Sequence, residues 1–122
     1  MQVTSYIFVL LAAILSCAMA APVERRSGSF SGDGTFYTVG LGSCGSHDSD
    51  SDMVAALNQP QMGNNKYCGK SASVKGPNGS VTVKIVDTCP ECDSGSLDLS
   101  PSAFKKIGDL SAGRIPITWS WN

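Results

Sequence analysis

The sequence predicts a small, mainly β protein closed into a barrel and carrying a short helix. Three observations point there. Short runs rich in Val, Ile, Thr and aromatics recur between turns supplied by 13 Gly and 6 Pro. Arg114 to Asn122 alternates strictly between apolar and polar residues, as a half-buried strand does. Ser100-Pro101 is a clear helix start, a hydroxyl cap followed by proline at the first helical position, and Gly108 stops that helix. The 122 residues contain no internal repeat and no sign of a second domain.

The chain opens with a segment expected to be removed. Tyr6 to Leu15 is almost wholly apolar and Ala18-Met19-Ala20 is a small-x-small cleavage site, so Met1 to Ala20 reads as a secretory signal, although its start lacks the usual positive charge. The apolar run is too short for a membrane span. Cys17 is expected to leave with it. Residues 21–26 form a short leader ending in Arg25-Arg26, a dibasic pair of the kind that secretory-pathway proteases cleave. Residues 27–122 are the expected domain. Beyond Arg26 seven Lys/Arg face nine Asp/Glu, a formal charge of −2. That balance gives no support to nucleic acid or an anionic membrane as partner.

In chain order, Gly34 to Gly40 reads as a strand. Gly42 to Asp52 is a polar loop. Asp48, Asp50 and Asp52 alternate like the start of a calcium loop, but Met53 to Leu57 supplies neither the glycine turn nor the closing glutamate, so a solvated loop is expected. Met53 to Leu57 is a short apolar strand or buried segment, and Asn58 to Asn65 is rich in turn residues. Cys68 to Lys75 and Ser80 to Asp87 bracket Gly76-Pro77-Asn78-Gly79, a hairpin signal. Asn78-Gly79-Ser80 is also a glycosylation sequon at an exposed turn. Phe104 and Ile107 should face the core from the helix. In the closing strand Ile115, Ile117, Trp119 and Trp121 share one face, and the two tryptophans read as core before ligand platform.

Ile85 to Gly108 is the stretch around which the chain is organised. A strand runs into Cys89-Pro90-Glu91-Cys92, and Leu97-Asp98-Leu99 leads to the helix. Asp87 and Asp98 stand at the two edges of this loop. Such acids either present polar chemistry to a groove or only bond turn amides and cap the helix. If residues 97–99 are extended, Asp98 must point away from its two leucine neighbours. The nearby helix dipole would favour its ionised form and burial would oppose it, which leaves its protonation state open.

Four cysteines remain after the signal, so two disulfides are expected, and of three possible pairings Cys44–Cys68 with Cys89–Cys92 is the favoured one. A redox CxxC would open a helix in a βαβ setting, which is not the setting here. A zinc site would need more ligands than His47, the one histidine. No metal or other cofactor is expected.

These residues are similar to a known family. Gly32 to Tyr37 (G-x-G-T-F-Y), Ser43 to Gly45 (S-C-G), Val86 to Cys92 (V-D-T-C-P-x-C), Leu97 to Gly108 (L-D-L-S-P-x-A-F-x-x-I-G) and the closing I-x-W resemble the expansin-like proteins, and among them the single-domain secreted loosenins of fungi. The resemblance covers essentially the whole mature chain. It implies a six-stranded double-psi β-barrel with one or two short helices, extracellular and monomeric. It also implies a groove holding plant or fungal cell-wall polysaccharide of the β-glucan or cellulose type. Thr35, Tyr37, Asp87 and Asp98 would bind the substrate, with Asp98 and Asp87 as the candidate catalytic acids. Related inverting cellulases add a base on the first strand and loop. Gly34 to Cys44 contains no acid, and Asp33 is expected on the wrong side of Thr35. The resemblance therefore implies loosening without hydrolysis. Cys89 replaces a groove aromatic of the bacterial expansins, Ser96-Leu97 replaces a His-Phe pair of the plant ones, and the family's carbohydrate-binding domain has no counterpart in the sequence. The same pattern, with Asp48-Ser49-Asp50 and the closing strand, also resembles a small bacterial inhibitor of papain-like cysteine proteases, which would act through loops. Fungal chains of this kind are also described as riboflavin aldehyde-forming enzyme, for which the sequence offers no dinucleotide fingerprint.

Overall fold

The structure is a computed structural model that describes residues 28–122. The expected signal and leader, including Cys17 and Arg25-Arg26, lie outside the described residues. The elements are β1 (Ser29–Phe36), β2 (Val54–Asn58), α1 (Gln59–Met62), β3 (Ser71–Gly76), β4 (Gly79–Cys89), β5 (Leu97–Leu99), α2 (Pro101–Ile107), a single 3₁₀ turn (Leu110–Ala112) and β6 (Ile115–Trp121). The strands close into a barrel in the order β1-β5-β2-β4-β3-β6. β1 runs parallel to β5, and β2 parallel to β4. The remaining neighbours are antiparallel. This is the six-stranded barrel that the sequence motifs imply.

Alternation builds the core. Ala72 and Val74 of β3, Val83 and Ile85 of β4, Leu97 and Leu99 of β5, and Ile115, Ile117 and Trp119 of β6 all point inward and are buried. Met62, Ala103, Phe104 and Ile107 join them from the helices, with Phe104 fully enclosed. Trp121 is partly buried against this cluster, so both tryptophans serve the core. α2 begins as expected: the Ser100 hydroxyl accepts from the Ala103 amide at 3.2 Å and donates to the Asp52 carbonyl at 2.6 Å.

Several boundaries differ from the sequence reading. β1 spans Ser29–Phe36, where a strand over Gly34 to Gly40 was expected. Its first six residues pair with β6 from Ser29↔Ser120 to Gly34↔Ile115, and this long pairing overrides the low strand propensity of Gly32 and Gly34. The chain then leaves the sheet, and the Val39 amide turns to the Asp50 carboxylate at 2.8 Å. Asn58 to Asn65, read as turns, includes α1, because the Asn58 side chain caps the Gln61 amide at 2.9 Å. β3 starts at Ser71, later than Cys68, because Gly69 turns the chain with φ +83°. β4 continues beyond Asp87 to Cys89.

The β3–β4 hairpin closes through Pro77-Asn78, with Gly76 opposite Gly79. The proline ring fixes φ near −65° and excludes the type I′ turn that Asn-Gly favours, so Asn78 does not enter the left-handed region. Its amide instead donates to the Ile107 carbonyl at 2.9 Å and fastens the hairpin to the end of α2. Asn78 is exposed there.

Cys44 pairs with Cys68 and Cys89 with Cys92, as favoured from the sequence. The first bridge spans 24 residues and pins the Gly42–Asp52 loop to the segment before β3. Replacing Cys44 and Cys68 together by alanine is expected to cost about 3 kcal/mol of unfolding free energy, the chain-entropy value for a loop of that size. Denaturant unfolding of the double variant measures it, and a loss below about 1 kcal/mol would mean that the loop is held without the bridge.

Candidate functional site

A groove of about 340 Å³ opens between β1, β5 and the loop from Cys89 to Ser96. β5 sets its floor. Leu97 and Leu99 are both fully buried, so the side chain between them, Asp98, points out of the barrel. The parallel register sets Thr35 of β1 directly beside Asp98. The Thr35 hydroxyl donates to Asp98 Oδ1 at 2.8 Å. Phe36 follows on the rim, 37% exposed, its ring 4.9 Å from that of Phe104.

The opposite wall is held by buried hydrogen bonds. Asn58, at 0% exposure, donates to the Ser96 carbonyl at 2.9 Å and to Gln61 Oε1 at 2.7 Å. Gln61 Oε1 also accepts from the Gly95 amide at 3.0 Å. The Trp119 indole donates to the Gly95 carbonyl at 2.9 Å. Ser96 Oγ accepts from the Asp33 amide at 3.0 Å, which joins this loop to β1. Gly95 has φ +89°, and a Cβ there would overlap the Ser31 carbonyl. Glycine is therefore required where the loop crosses β1. The Cys89–Cys92 bridge lies in the groove lining, with Glu91 and Asp93 on the same loop.

Thr35 and Asp98 are thus brought together as expected. Asp87 is placed differently. The β2–β4 register shifts between Ala55 and Ala56, and Ile85 and Val86 are both buried. Past this irregularity Asp87 Oδ1 accepts the amides of Ser43 and Thr88, each at 2.8 Å. Asp87 therefore anchors the Gly42–Cys44 turn and lies outside the groove lining, the amide-bonding role that the sequence had left open for it. Tyr37 also lies outside the lining. It is half-buried beside Asp87, Asp98 and Asp48, and its amide donates to the Leu99 carbonyl at 3.1 Å. Burial, then the charges of Asp87, Asp98 and Asp48, hold its phenol protonated well above the usual range.

Asp33 needs a correction. It stands two residues before Thr35 on the same strand, so both side chains emerge on one face, and Asp33 lines the groove. Its carboxylate meets the Arg114 guanidinium at 3.1 Å. The expected strand start at Gly34 concealed this. Asp33, Phe36 and Arg114 were missed as site residues, as were Glu91, Asp93 and Ser96. Alternation extended back to Ser29 would have given Asp33. Arg114 was legible as outward-facing, but nothing local says that β6 lies beside β1. Glu91 and Asp93 sit in a loop with no period.

Burial raises the Asp98 pKa, the Thr35 hydrogen bond opposes that, Glu91 and Asp87 reinforce it, and Arg114 opposes it. The net direction is up, and burial is the largest cause. A carboxyl group whose folded pKa is raised stabilises the fold below its unfolded pKa, and that contribution is lost as pH climbs through the folded value. Asp98→Asn should therefore melt no lower than the native protein at neutral pH, and any advantage should vanish as pH falls through the carboxylate range. Thermal melts across pH test this, and a clear loss of stability in the variant at neutral pH would contradict it. Thr35→Val should raise the Asp98 pKa further, read by carbon-detected NMR titration.

With this geometry in hand, the comparisons with known proteins are direct. Residues 29–119 match the double-psi β-barrel family model described as Lytic transglycolase. Expansin-YoaJ of Bacillus subtilis is 49% identical over 51 residues, which are 42% of this chain and 22% of that protein. A point mutant of the Clavibacter michiganensis expansin, solved in complex with cellohexaose, superposes with a TM-score of 0.72 at 33% identity, over 77% of this chain and 50% of that one. The Streptomyces papain inhibitor superposes with a TM-score of 0.69 at 30% identity, over 78% of this chain and 94% of that one. This chain spans half or less of the two expansins and nearly all of the inhibitor. The match across the barrel, with the strand pairing already described, shows that the chain belongs to the double-psi β-barrel family and is expansin-like.

Proposed function

We propose that this protein is a secreted, expansin-like polysaccharide binder that holds an extended β-linked cell-wall chain of the β-glucan type and loosens it without hydrolysis. The observation that carries the reading is the Thr35–Asp98 pair on the groove floor beside the exposed Phe36 ring. A flat ring and a short row of polar groups suit a pyranose, which offers an apolar face and hydroxyl edges. Asp98 accepts a sugar hydroxyl when ionised and donates to a sugar oxygen when protonated, and its raised pKa makes the second form more accessible. A chain bonded in this way gives up hydrogen bonds to its neighbours in the wall, which is loosening.

Inverting hydrolysis needs a second carboxylate free to activate water. The carboxylate on β1, Asp33, forms an exposed ion pair with Arg114, and the assay for released sugar decides whether it acts as a base. The cellohexaose held by the Clavibacter relative supports a polysaccharide as partner. The two disulfides suit an oxidising, extracellular setting.

A second reading, inhibition of a papain-like cysteine protease, is favoured by one feature away from the groove. Leu41 is 71% exposed on a loop closed by the Leu41↔His47 bridge and braced by the Cys44–Cys68 disulfide. A rigid loop presenting one apolar side chain suits insertion into a protease cleft.

One experiment separates the readings. The protein is pulled down with cellulose, xylan and chitin, assayed for loosening of cellulose fibres and release of reducing sugar, and tested against papain. Binding and loosening with no sugar release are expected. Asp98→Asn should lose loosening by roughly tenfold or more, the scale of losing a charge-assisted hydrogen bond. Retained loosening in that variant would remove Asp98 from the mechanism, sugar release would make the protein a hydrolase, and activity confined to papain would transfer the assignment to the inhibitor.

A further inference from the structure

We infer that the groove selects an amine-bearing glycan, a β-linked polymer of glucosamine, over its N-acetylated or neutral counterparts. The inference rests on the reading that the groove holds an extended polysaccharide, and it names the chemistry of the sugar.

Charge is distributed unevenly over the molecule. The whole chain is close to neutral, at −1. The groove is not. Among the described residues, Asp33, Glu91, Asp93 and Asp98 line it against one cation, Arg114, whose guanidinium already meets Asp33. All six lysines stand elsewhere. Lys66 and Lys70 lie over the Tyr67 and Trp121 rings, with Nζ 5.2–5.7 Å from the ring centroids. Lys75 and Lys84 are on β3 and β4, and Lys105 and Lys106 are in the last turn of α2.

A neutral glucan uses the Thr35–Asp98 pair and the Phe36 ring but gains nothing from the negative charge of Glu91 and Asp93. A β-linked glucosamine chain has the same ring face for Phe36, the same extended form, and one ammonium per sugar for the carboxylates. Acetylation removes that charge. A polyuronate reverses it and is repelled. The second kind of cationic chain, a lysine-rich peptide, lacks the flat ring face that Phe36 accommodates. Glu91 and Asp93 are exposed, so each contact is individually modest and screened by salt. Their summed field concentrates a cationic ligand at the groove.

Calorimetric titration of the protein with a glucosamine hexamer, its fully N-acetylated form, cellohexaose, a galacturonate hexamer and an oligolysine of similar length tests this. At low salt and mildly acid pH the glucosamine hexamer should bind roughly tenfold tighter than its acetylated form. That ratio should shrink toward one at high salt, a measurement that needs no variant. Glu91→Gln with Asp93→Asn should also lower the ratio, and because both positions are exposed, an unchanged melting temperature is the control. Equal affinity for charged and uncharged hexamers, a ratio insensitive to salt, or tighter binding of the uronate would overturn the inference and leave the polysaccharide reading standing. Oligolysine binding as tightly as the glucosamine hexamer would overturn it in favour of a peptide partner. Glucosamine binding without cellohexaose binding would support the inference and narrow the proposed function to amino sugars. If no glycan binds at all, the groove reading itself falls.

Discussion

The site depends on a demand that elementary physics makes of any loop tucked beneath a strand: its backbone polar groups must find partners once water is excluded. Gly95 and Ser96 are buried where they pass β1, and three side chains, two from the start of α1 and one from β6, meet that demand. Asn58 takes the Ser96 carbonyl, Gln61 takes the Gly95 amide, and the Trp119 indole takes the Gly95 carbonyl. Among the described residues no buried side-chain nitrogen or oxygen lacks a partner. Leaving one such group unsatisfied costs about 1–3 kcal/mol, comparable to a sizeable fraction of a small domain's stability. The wall of the groove is therefore fixed by the polar accounting of the core. Phe36 and the Thr35–Asp98 pair then inherit their positions from strands whose inner faces are fully apolar.

The electrostatics follow from the same placement. Asp98 emerges between two buried leucines, so it is half-withdrawn from water by construction. The larger opposing influence, the Thr35 hydroxyl, comes from the neighbouring parallel strand. Burial is the largest influence and raises the Asp98 pKa, while α2 takes its cap from Ser100. One strand register, one hydroxyl and one buried flank, with the charges of Glu91, Asp87 and Arg114, set the proton affinity of the groove floor.

What could be read from the residues was whatever is local. The alternation of Arg114 to Asn122, the Ser100-Pro101 start, the hairpin near Pro77-Asn78 and the outward turn of Asp98 all follow from neighbours within a few positions. The motif resemblance supplied the closed topology and both disulfide partners agreed with the favoured pairing. What escaped was set by distant partners. β1 starts at Ser29 because β6 pairs with it, and the faint alternation of Ser29 to Asp33 does not by itself name that partner. Asp87 turns toward Ser43 because of a register irregularity opposite β2, which no pattern within β4 reveals. Glu91 and Asp93 become groove residues only because the loop that bears them is stapled at both ends.

The parallel pairing of β1 with β5 has a consequence for the order in which the molecule assembles. Thr35 and Asp98 are 63 positions apart, and the strand that completes β1 on its other side is later still. Closing so long a segment costs chain entropy before any contact repays it, whereas the β3–β4 hairpin closes across two residues. A chain emerging N-terminus first must hold β1 without either partner until β5 and β6 have been made. The groove therefore waits on the last strands to be made, and a chain truncated before β5 lacks the floor of the binding surface whatever local pairing β3 and β4 achieve.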